Sequence, residues 1–254
     1  MKARSQSSST RTKRSSSRKP SEQRKTWTKA RVLNELKALA DPHVRAKMAY
    51  FGVDVPKAHG ISAPVLHKFA KHIGRSQKLA EQLWSSGIHE ARILATLIGE
   101  PEKITGAQME RWVRDFNSWD VVDSACCYLY AHAKPASSKV DAWSRRKSEF
   151  EKRAAFSLLA YLSYKDKSAS NGRFEHCLRV IEREARDERN FVRKAVNWAL
   201  RNIGKRNLPL NAAAIAAAER IRQQDSRSAR WIAADALREL RSDAVQRRLR
   251  AKKG

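Results

Sequence analysis

Similar helical segments recur along the second half of the chain, and this repetition constrains the fold more than any other feature. The segments begin Arg153-Ala-Ala-Phe, Arg193-Lys194-Ala-Val and Arg230-Trp-Ile-Ala, so an arginine recurs after 40 and then after 37 residues. Apolar residues follow each arginine at the three- and four-residue spacing of an amphipathic helix. No stretch keeps the alternation of a β-strand, so we predict no sheet.

Two positions extend this register toward the N-terminus. Arg92 lies 61 residues before Arg153, and Asp123 occupies the register position between them. A period near 40 with two helices per unit is typical of HEAT-like repeats, which stack into a curved solenoid with the second helices on the concave side. We therefore predict an all-α fold, an α-α superhelix of HEAT-like repeats that forms a single curved domain over residues 26–250.

The recurring cations have two interpretations. Arg92, Arg153, Arg193, Lys194 and Arg230 could form a basic stripe that binds DNA along the concave side. Alternatively, each arginine could tie one repeat to the next. The spacing alone is compatible with both.

Polar caps before apolar stripes and glycines after them predict the helix boundaries. Asp41-Pro42, a capping acid followed by a first-turn proline, is the strongest start signal. A loop is expected over Val53–Gly60. The predicted helices are 27–40, 42–52, 62–74, 76–87, 88–99, 105–116, 118–133, 137–147, 149–164, 171–186, 190–203, 209–223 and 227–241.

The charge balance favours a polyanionic partner. The chain carries a formal net charge of +27, and residues 1–31 hold eleven Lys or Arg against one acid. The remainder keeps +17, so the folded part is basic in its own right and nucleic acid is the expected partner. Residues 1–25 are almost without apolar side chains, and we predict a disordered basic tail. A transit peptide is an alternative for this segment, but it would need an apolar face that the segment lacks.

The remaining composition excludes several classes of protein. Three cysteines do not make a disulfide framework and suit a reducing cytosol. Seven histidines show no zinc-ligand spacing, and the apolar runs are too short to span a membrane. We expect a cytoplasmic, nucleoid-associated monomer without a membrane partner, with no metal and no cofactor.

One short stretch, Asn117–Asp123, carries the chemistry. Asn117 or Ser118 is expected to cap a helix by accepting a first-turn hydrogen bond. Trp119 and Asp123 are four residues apart and therefore share one helix face. Our hypothesis is that an indole beside a carboxylate in so basic a chain faces a cationic ligand. The alternative is that Trp119 packs in the core and Asp123 pairs with a nearby arginine.

Three segments in order resemble those of the AlkD-type family of DNA alkylation repair enzymes, which are HEAT-like DNA glycosylases. They are Ser118-Trp-Asp-Val-Val-Asp-Ser124, Arg153-Ala-Ala-Phe with Leu159-Ala-Tyr-Leu-Ser-Tyr-Lys165, and Phe191-Val-Arg-Lys-Ala-Val-Asn-Trp-Ala-Leu-Arg201. Gly60-Ile-Ser-Ala-Pro64 is similar to a weaker early motif. The likeness runs from Trp27 to Leu240. Two departures are Ser118, where some members have a second tryptophan, and the absence of an aromatic residue next to Met48.

The resemblance implies monofunctional N-glycosylase activity on cationic N3- or N7-alkylated purines in double-stranded DNA. It makes Asp123 the catalytic carboxylate, places Trp119 and Trp198 beside the sugar of the lesion, and assigns Arg153 to the neighbouring backbone. The family is thought to leave the modified base in the stack rather than flip it. We expect no lyase step, because no Schiff-base lysine is evident.

Elementary chemistry agrees with this role for one acid. An alkylated purine already carries a positive charge, so it can leave without a general acid, while positive charge develops on the deoxyribose. A carboxylate can stabilise this oxocarbenium ion and orient a water molecule. Two other classes of function remain open: a non-catalytic HEAT-like DNA-binding protein, and a scaffold for RNA or protein partners.

Overall fold

The computed structural model describes residues 27–53 and 55–251, and the predicted basic tail, residues 1–25, lies outside them. Fourteen α-helices, two short 3₁₀ turns and no strand make up this part of the chain. None of the described helices is long and apolar enough to cross a bilayer. The α-helices are α1 (Lys29–Ala38), α2 (Pro42–Tyr50), α3 (Ala63–Ile73), α4 (Gln77–Trp84), α5 (His89–Ile98), α6 (Gly106–Arg114), α7 (Trp119–Tyr128), α8 (Ala136–Ser144), α9 (Glu149–Lys165), α10 (Asn171–Glu184), α11 (Asn190–Gly204), α12 (Leu208–Arg222), α13 (Arg227–Leu240) and α14 (Asp243–Ala251).

The helices form two stacked layers. In the inner layer α3, α5, α7, α9, α11 and α13 pack in succession, each against the next. The outer helices α4, α8, α10 and α12 cover α5, α9, α11 and α13 respectively. This arrangement of helix pairs confirms the predicted all-α superhelix of HEAT-like repeats, with the recurring arginines at the starts of inner helices.

Helix α9 contains more buried residues than any other described helix and lies within the inner layer, between α7 and α11. It packs against α7, α8 and α11, and every residue from 153 to 160 is buried. Burial on nearly all sides explains why six of these eight side chains are apolar. Each fully buried Leu or Phe contributes about 1.5–3 kcal/mol. The helix is therefore a firm support for the polar side chains that it carries.

Most predicted helix starts are confirmed. The Asp41 carboxylate accepts hydrogen bonds from the amides of His43 and Val44, and Thr105 accepts one from Gln108. The cap predicted for α7 is wrong. Ser118 occupies the capping position in extended backbone, but its buried side chain makes no capping hydrogen bond.

Two other boundaries differ from the sequence prediction. The helix expected over 118–133 ends at Tyr128, because Leu129 leaves helical geometry, and a 3₁₀ turn follows over Tyr130–His132. Helix α14 was not predicted. Its sequence is strongly basic and buries only Val245 and Leu249, a pair four residues apart that gives a weak periodic signal.

Candidate active site

Asp123 lies in an open cleft of about 710 Å³ between helices α2 and α3 on one side and α5, α7 and α9 on the other. Most of the lining is apolar or aromatic. Its polar side chains include two acids on α7, Asp120 and Asp123, and its aromatic rings are those of Phe51, Trp119, Tyr128 and Tyr161, with His67 and His89 nearby. The cleft therefore presents carboxylates among aromatic faces.

Three hydrogen bonds fix the Asp123 carboxylate. Arg153 Nε donates to Oδ1 at 3.2 Å, and Arg153 Nη2 donates to Oδ2 at 2.7 Å. The Ser157 hydroxyl donates to Oδ1 at 2.8 Å. An ionised carboxylate has about four acceptor positions, so among the described residues one position on Oδ2 stays open. Asp123 thus pairs with an arginine, as the alternative interpretation predicted, and also borders a cleft with one acceptor position available.

The Arg153 guanidinium ties three inner helices together. Its side chain is only 8% exposed, and besides Asp123 it donates from Nη1 to the Phe191 carbonyl of α11 at 2.8 Å. A planar guanidinium matches both carboxylate oxygens with two parallel N–H donors, a geometry that an ammonium group does not reproduce. This placement does not test the predicted contact with DNA, which stays a prediction.

Ser157 and Tyr161 belong to the same stripe of α9 as Arg153, and neither was predicted as a site residue. They follow Arg153 at intervals of four residues, so all three face α7. Burial and the nearby Cys127 raise the pKa of the Tyr161 hydroxyl, which therefore stays protonated. The four-residue spacing from Arg153 was the only sequence signal that Ser157 and Tyr161 belong to the site. The contact of Ser157 with Asp123 spans 34 positions, and no local pattern predicts it.

Trp119 lies partly in the cleft and partly against apolar side chains, and its predicted contact with a cationic ligand stays a prediction. It lines the Asp123 cleft, and, like Met48, it packs against the small apolar cluster of Val53, Val55 and Ala58. Its indole N–H donates to the Phe51 carbonyl at 3.1 Å. Phe51 also lines the cleft, three residues after Met48, although no aromatic residue lies directly next to Met48.

Trp198 is separated from the Asp123 cleft by one ring. It meets Tyr161 edge to face, with ring centroids 4.9 Å apart, and it lines a second cavity. The structure therefore brings Asp123 and Trp119 to one cleft, pairs the buried Arg153 with Asp123, and places Trp198 against Tyr161.

A buried carboxylate anchors the loop that supports Trp119. Glu90 is fully buried and accepts hydrogen bonds from the amides of His59, Gly60 and Ile61 at 2.7–3.3 Å. Gly60 has φ +80°, and a Cβ there would lie 2.3 Å from the Asp41 carbonyl, so only glycine fits. Glu90 thus fixes one wall of the cleft, a role that no local sequence pattern predicts.

A second polar pair borders the cleft. His89 is buried, and its Nε2 lies 2.9 Å from Oδ2 of Asp120. Burial raises the pKa of Asp120, but hydrogen bonds from His89 and from the Val121 amide outweigh it, and the net shift is downward. Asp120 is therefore a stable anion that connects α7 to α5.

The other cations predicted to bind DNA have varied surroundings. Arg92 is half-buried and donates to the Asp115 carbonyl at 2.8 Å, which is a tie between neighbouring helices. The Arg193 guanidinium lies 5.1 Å from the centre of the Trp231 ring. Arg230 is exposed near Asp225 at 3.4 Å, and Lys194 is exposed. Their contacts with DNA stay predictions.

Residues 27–53 and 55–251 contain no group of three or more His, Cys, Asp or Glu that could hold a metal ion. Cys126, Cys127 and Cys177 are all free thiols. The expectation that no metal or cofactor is needed stays a prediction.

Comparison with known protein families gives one match that spans most of the chain. The model of a family described as DNA alkylation repair enzyme matches residues 32–241. The chain belongs to the DNA alkylation repair enzyme family. The match includes every residue that lines the cleft. Among the described helices it leaves out only the first residues of α1 and all of α14.

A solved structure shares the fold. It is described as a new family of proteins related to the HEAT-like repeat DNA glycosylases with affinity for branched DNA structures. It superposes with a TM-score of 0.70 at 19% identity, over 84% of this chain and 95% of that one. Comparison with curated proteins finds no match.

Proposed function

We propose that this protein is a monofunctional DNA glycosylase that hydrolyses the N-glycosidic bond of cationic N3- or N7-alkylated purines in double-stranded DNA. The observation that carries the proposal is the Asp123 carboxylate. It is held by Arg153 and Ser157 in an aromatic cleft, with one acceptor position on Oδ2 free.

The reaction needs little from the protein beyond this acid. The bond between C1′ and the purine nitrogen breaks, and the positively charged base takes the electron pair and leaves neutral. Positive charge then develops on the sugar, where the Asp123 carboxylate stabilises it. The free position on Oδ2 accepts a hydrogen bond from a water molecule, orients it toward C1′ and takes its proton as the new C–O bond forms.

The surroundings of Asp123 suit a substrate that is a cation. Trp119 and Tyr161 line the cleft beside which the alkylated base would lie. An aromatic face attracts a cation by about 0.5–2 kcal/mol, so these rings would favour the charged base. In this proposal Arg153 is a positioning residue. It orients the Asp123 carboxylate, and its positive charge stabilises the ionised form of that carboxylate when no substrate is bound. Trp198 supports the site through Tyr161.

A second candidate is a DNA-binding protein without catalysis. The solved structure with the same fold is described as related to the glycosylases and as having affinity for branched DNA. The pairing of Asp123 with Arg153 would also serve a purely structural role, since it ties α7, α9 and α11. In either case DNA is the partner that we infer from the family and the basic charge. A cytoplasmic, nucleoid-associated location and a monomeric state stay predictions.

A base-release assay separates the two candidates. Double-stranded DNA methylated with a radiolabelled methyl donor is incubated with the protein, and released bases are resolved by chromatography. The glycosylase proposal expects release of 7-methylguanine or 3-methyladenine with the DNA backbone intact. Tight duplex binding with no base release would favour the non-catalytic candidate.

A further inference from the structure

A second cavity of about 710 Å³ opens where the inner helices α9 and α11 end. It is lined by the aromatic rings of Tyr164 and Trp198 and by the cations Lys167, Lys205, Arg206 and Arg248, the last from α14. None of the described residues that line it is an acid. Flat rings beside unbalanced positive charge are the two features that a nucleotide requires, one for its base and one for its phosphate.

Two of the four cations have structural partners. Lys205 pairs with Glu239 at 2.6 Å, and Arg206 donates to the carbonyls of Ser163, Lys167 and Ala169, closing the end of α9. The side chains of Lys167 and Arg248 are exposed and form no ion pair with any described residue. These two are therefore the cations available to a ligand.

Tyr164 is the ring best placed for stacking. It is 42% exposed, although it is a large aromatic residue on a well-buried helix. Its ring centre lies 5.8 Å from that of Tyr161, which lines the Asp123 cleft. Tyr161, Tyr164 and Trp198 thus form a continuous aromatic connection between the cleft and the second cavity.

We propose that the second cavity binds an unpaired nucleotide of a single-stranded segment that continues from the duplex held at the Asp123 cleft. The base stacks on Tyr164, and Lys167 and Arg248 bind the flanking phosphates. This inference rests on the proposed function in one respect, namely that the duplex is held at the Asp123 cleft. It adds a preference for DNA in which a single strand leaves the double helix.

The test compares three fluorescein-labelled probes by anisotropy. The first is a blunt duplex, the second carries a short oligo-dT overhang, and the third carries an overhang of abasic units with the same phosphates but no bases. One stacked base contributes about 1–3 kcal/mol, so the dT overhang should tighten binding about tenfold over the blunt duplex. The abasic overhang should recover only a small part of this gain.

Variants locate the effect. Tyr164→Ala should remove most of the preference for the dT overhang, and the double change Lys167→Gln with Arg248→Gln should weaken binding of both overhang probes. Tyr50→Ala is the matched control, because Tyr50 is an exposed tyrosine, 85% accessible, outside the cavity. It should leave the ratio of overhang to blunt affinity unchanged.

Two results would overturn the inference: equal affinity of the wild type for the blunt and dT-overhang probes, or an unchanged ratio of these affinities in Tyr164→Ala. Base release from blunt methylated duplex is measured in parallel and should be unaffected by Tyr164→Ala. If the wild type releases no base but keeps the overhang preference, the glycosylase proposal fails and this site stands.

Discussion

Removing the Ser157 hydroxyl tests whether Asp123 depends on its neighbours for its position. The hydroxyl is fully buried and donates to Oδ1 of Asp123 at 2.8 Å. Ser157→Ala deletes this hydrogen bond and leaves the Arg153 fork in place. The carboxylate is then held by two hydrogen bonds instead of three, so the free acceptor position on Oδ2 is less firmly fixed.

The magnitude follows from the geometry. A hydrogen bond to a charged group contributes about 1.5–3 kcal/mol. The Asp123 side chain is 20% exposed, so water can replace part of the lost bond, and we expect the lower end, about 1.5 kcal/mol. For a domain of this size the melting temperature should fall by about 3–6 °C. The single-turnover rate of base release should fall about tenfold, which corresponds to about 1.4 kcal/mol of activation free energy.

The same helix offers a matched control. Ser163 is also fully buried on α9, but its hydroxyl donates to the Ala160 carbonyl within the helix. Ser163→Ala should change stability by less than about 1 kcal/mol and leave the rate of base release from blunt duplex unchanged. Ser157→Thr retains the hydroxyl and should restore most of the rate. If Ser157→Ala and Ser163→Ala behave alike in both assays, the positioning role of Ser157 is refuted.

Three further predictions concern other parts of the chain. Arg153→Lys should lower the free energy of unfolding by about 2 kcal/mol in urea titrations, because an ammonium group does not reproduce the guanidinium fork. The control Arg145→Lys, at an exposed position, should have no effect. Equal stability of the two variants would contradict the structure. Burial raises the pKa of the Cys177 thiol to about 11. At pH 8 iodoacetamide should therefore modify the partly exposed Cys127 well before Cys177. Mass spectrometry that shows the reverse order would contradict this packing. Deleting residues 1–25 should leave the melting temperature unchanged, and a large fall would show that this segment is folded. The deletion should also reduce the slope of log affinity for DNA against log salt concentration by about one unit per lost phosphate contact.

Local signals in the sequence predicted most of the helices, because the determinants lie within one turn of the chain. Asp41 and Pro42 specify the start of α2 without help from any other element. Helix α14 was missed because only Val245 and Leu249 mark its buried side. Its helical state depends on packing against the preceding repeat rather than on a periodic pattern of its own.

The candidate site was predicted only in part, for a related reason. Trp119 and Asp123 share one helix face, and the spacing alone shows this. The hydrogen bond from Ser157 to Asp123 and the bonds from the loop to Glu90 join residues about 30 positions apart. Such contacts depend on how the repeats stack, and a single sequence carries no signal for them.

The most direct test of the central claim is the single-turnover rate of 7-methylguanine release by Asp123→Asn compared with the wild type. Asparagine keeps the shape of the side chain and removes its charge. We predict a loss of at least about 100-fold in rate, while affinity for unmodified duplex and the circular dichroism spectrum are retained. A variant that releases 7-methylguanine at the wild-type rate would show that Asp123 is a structural partner of Arg153 and not the catalytic carboxylate.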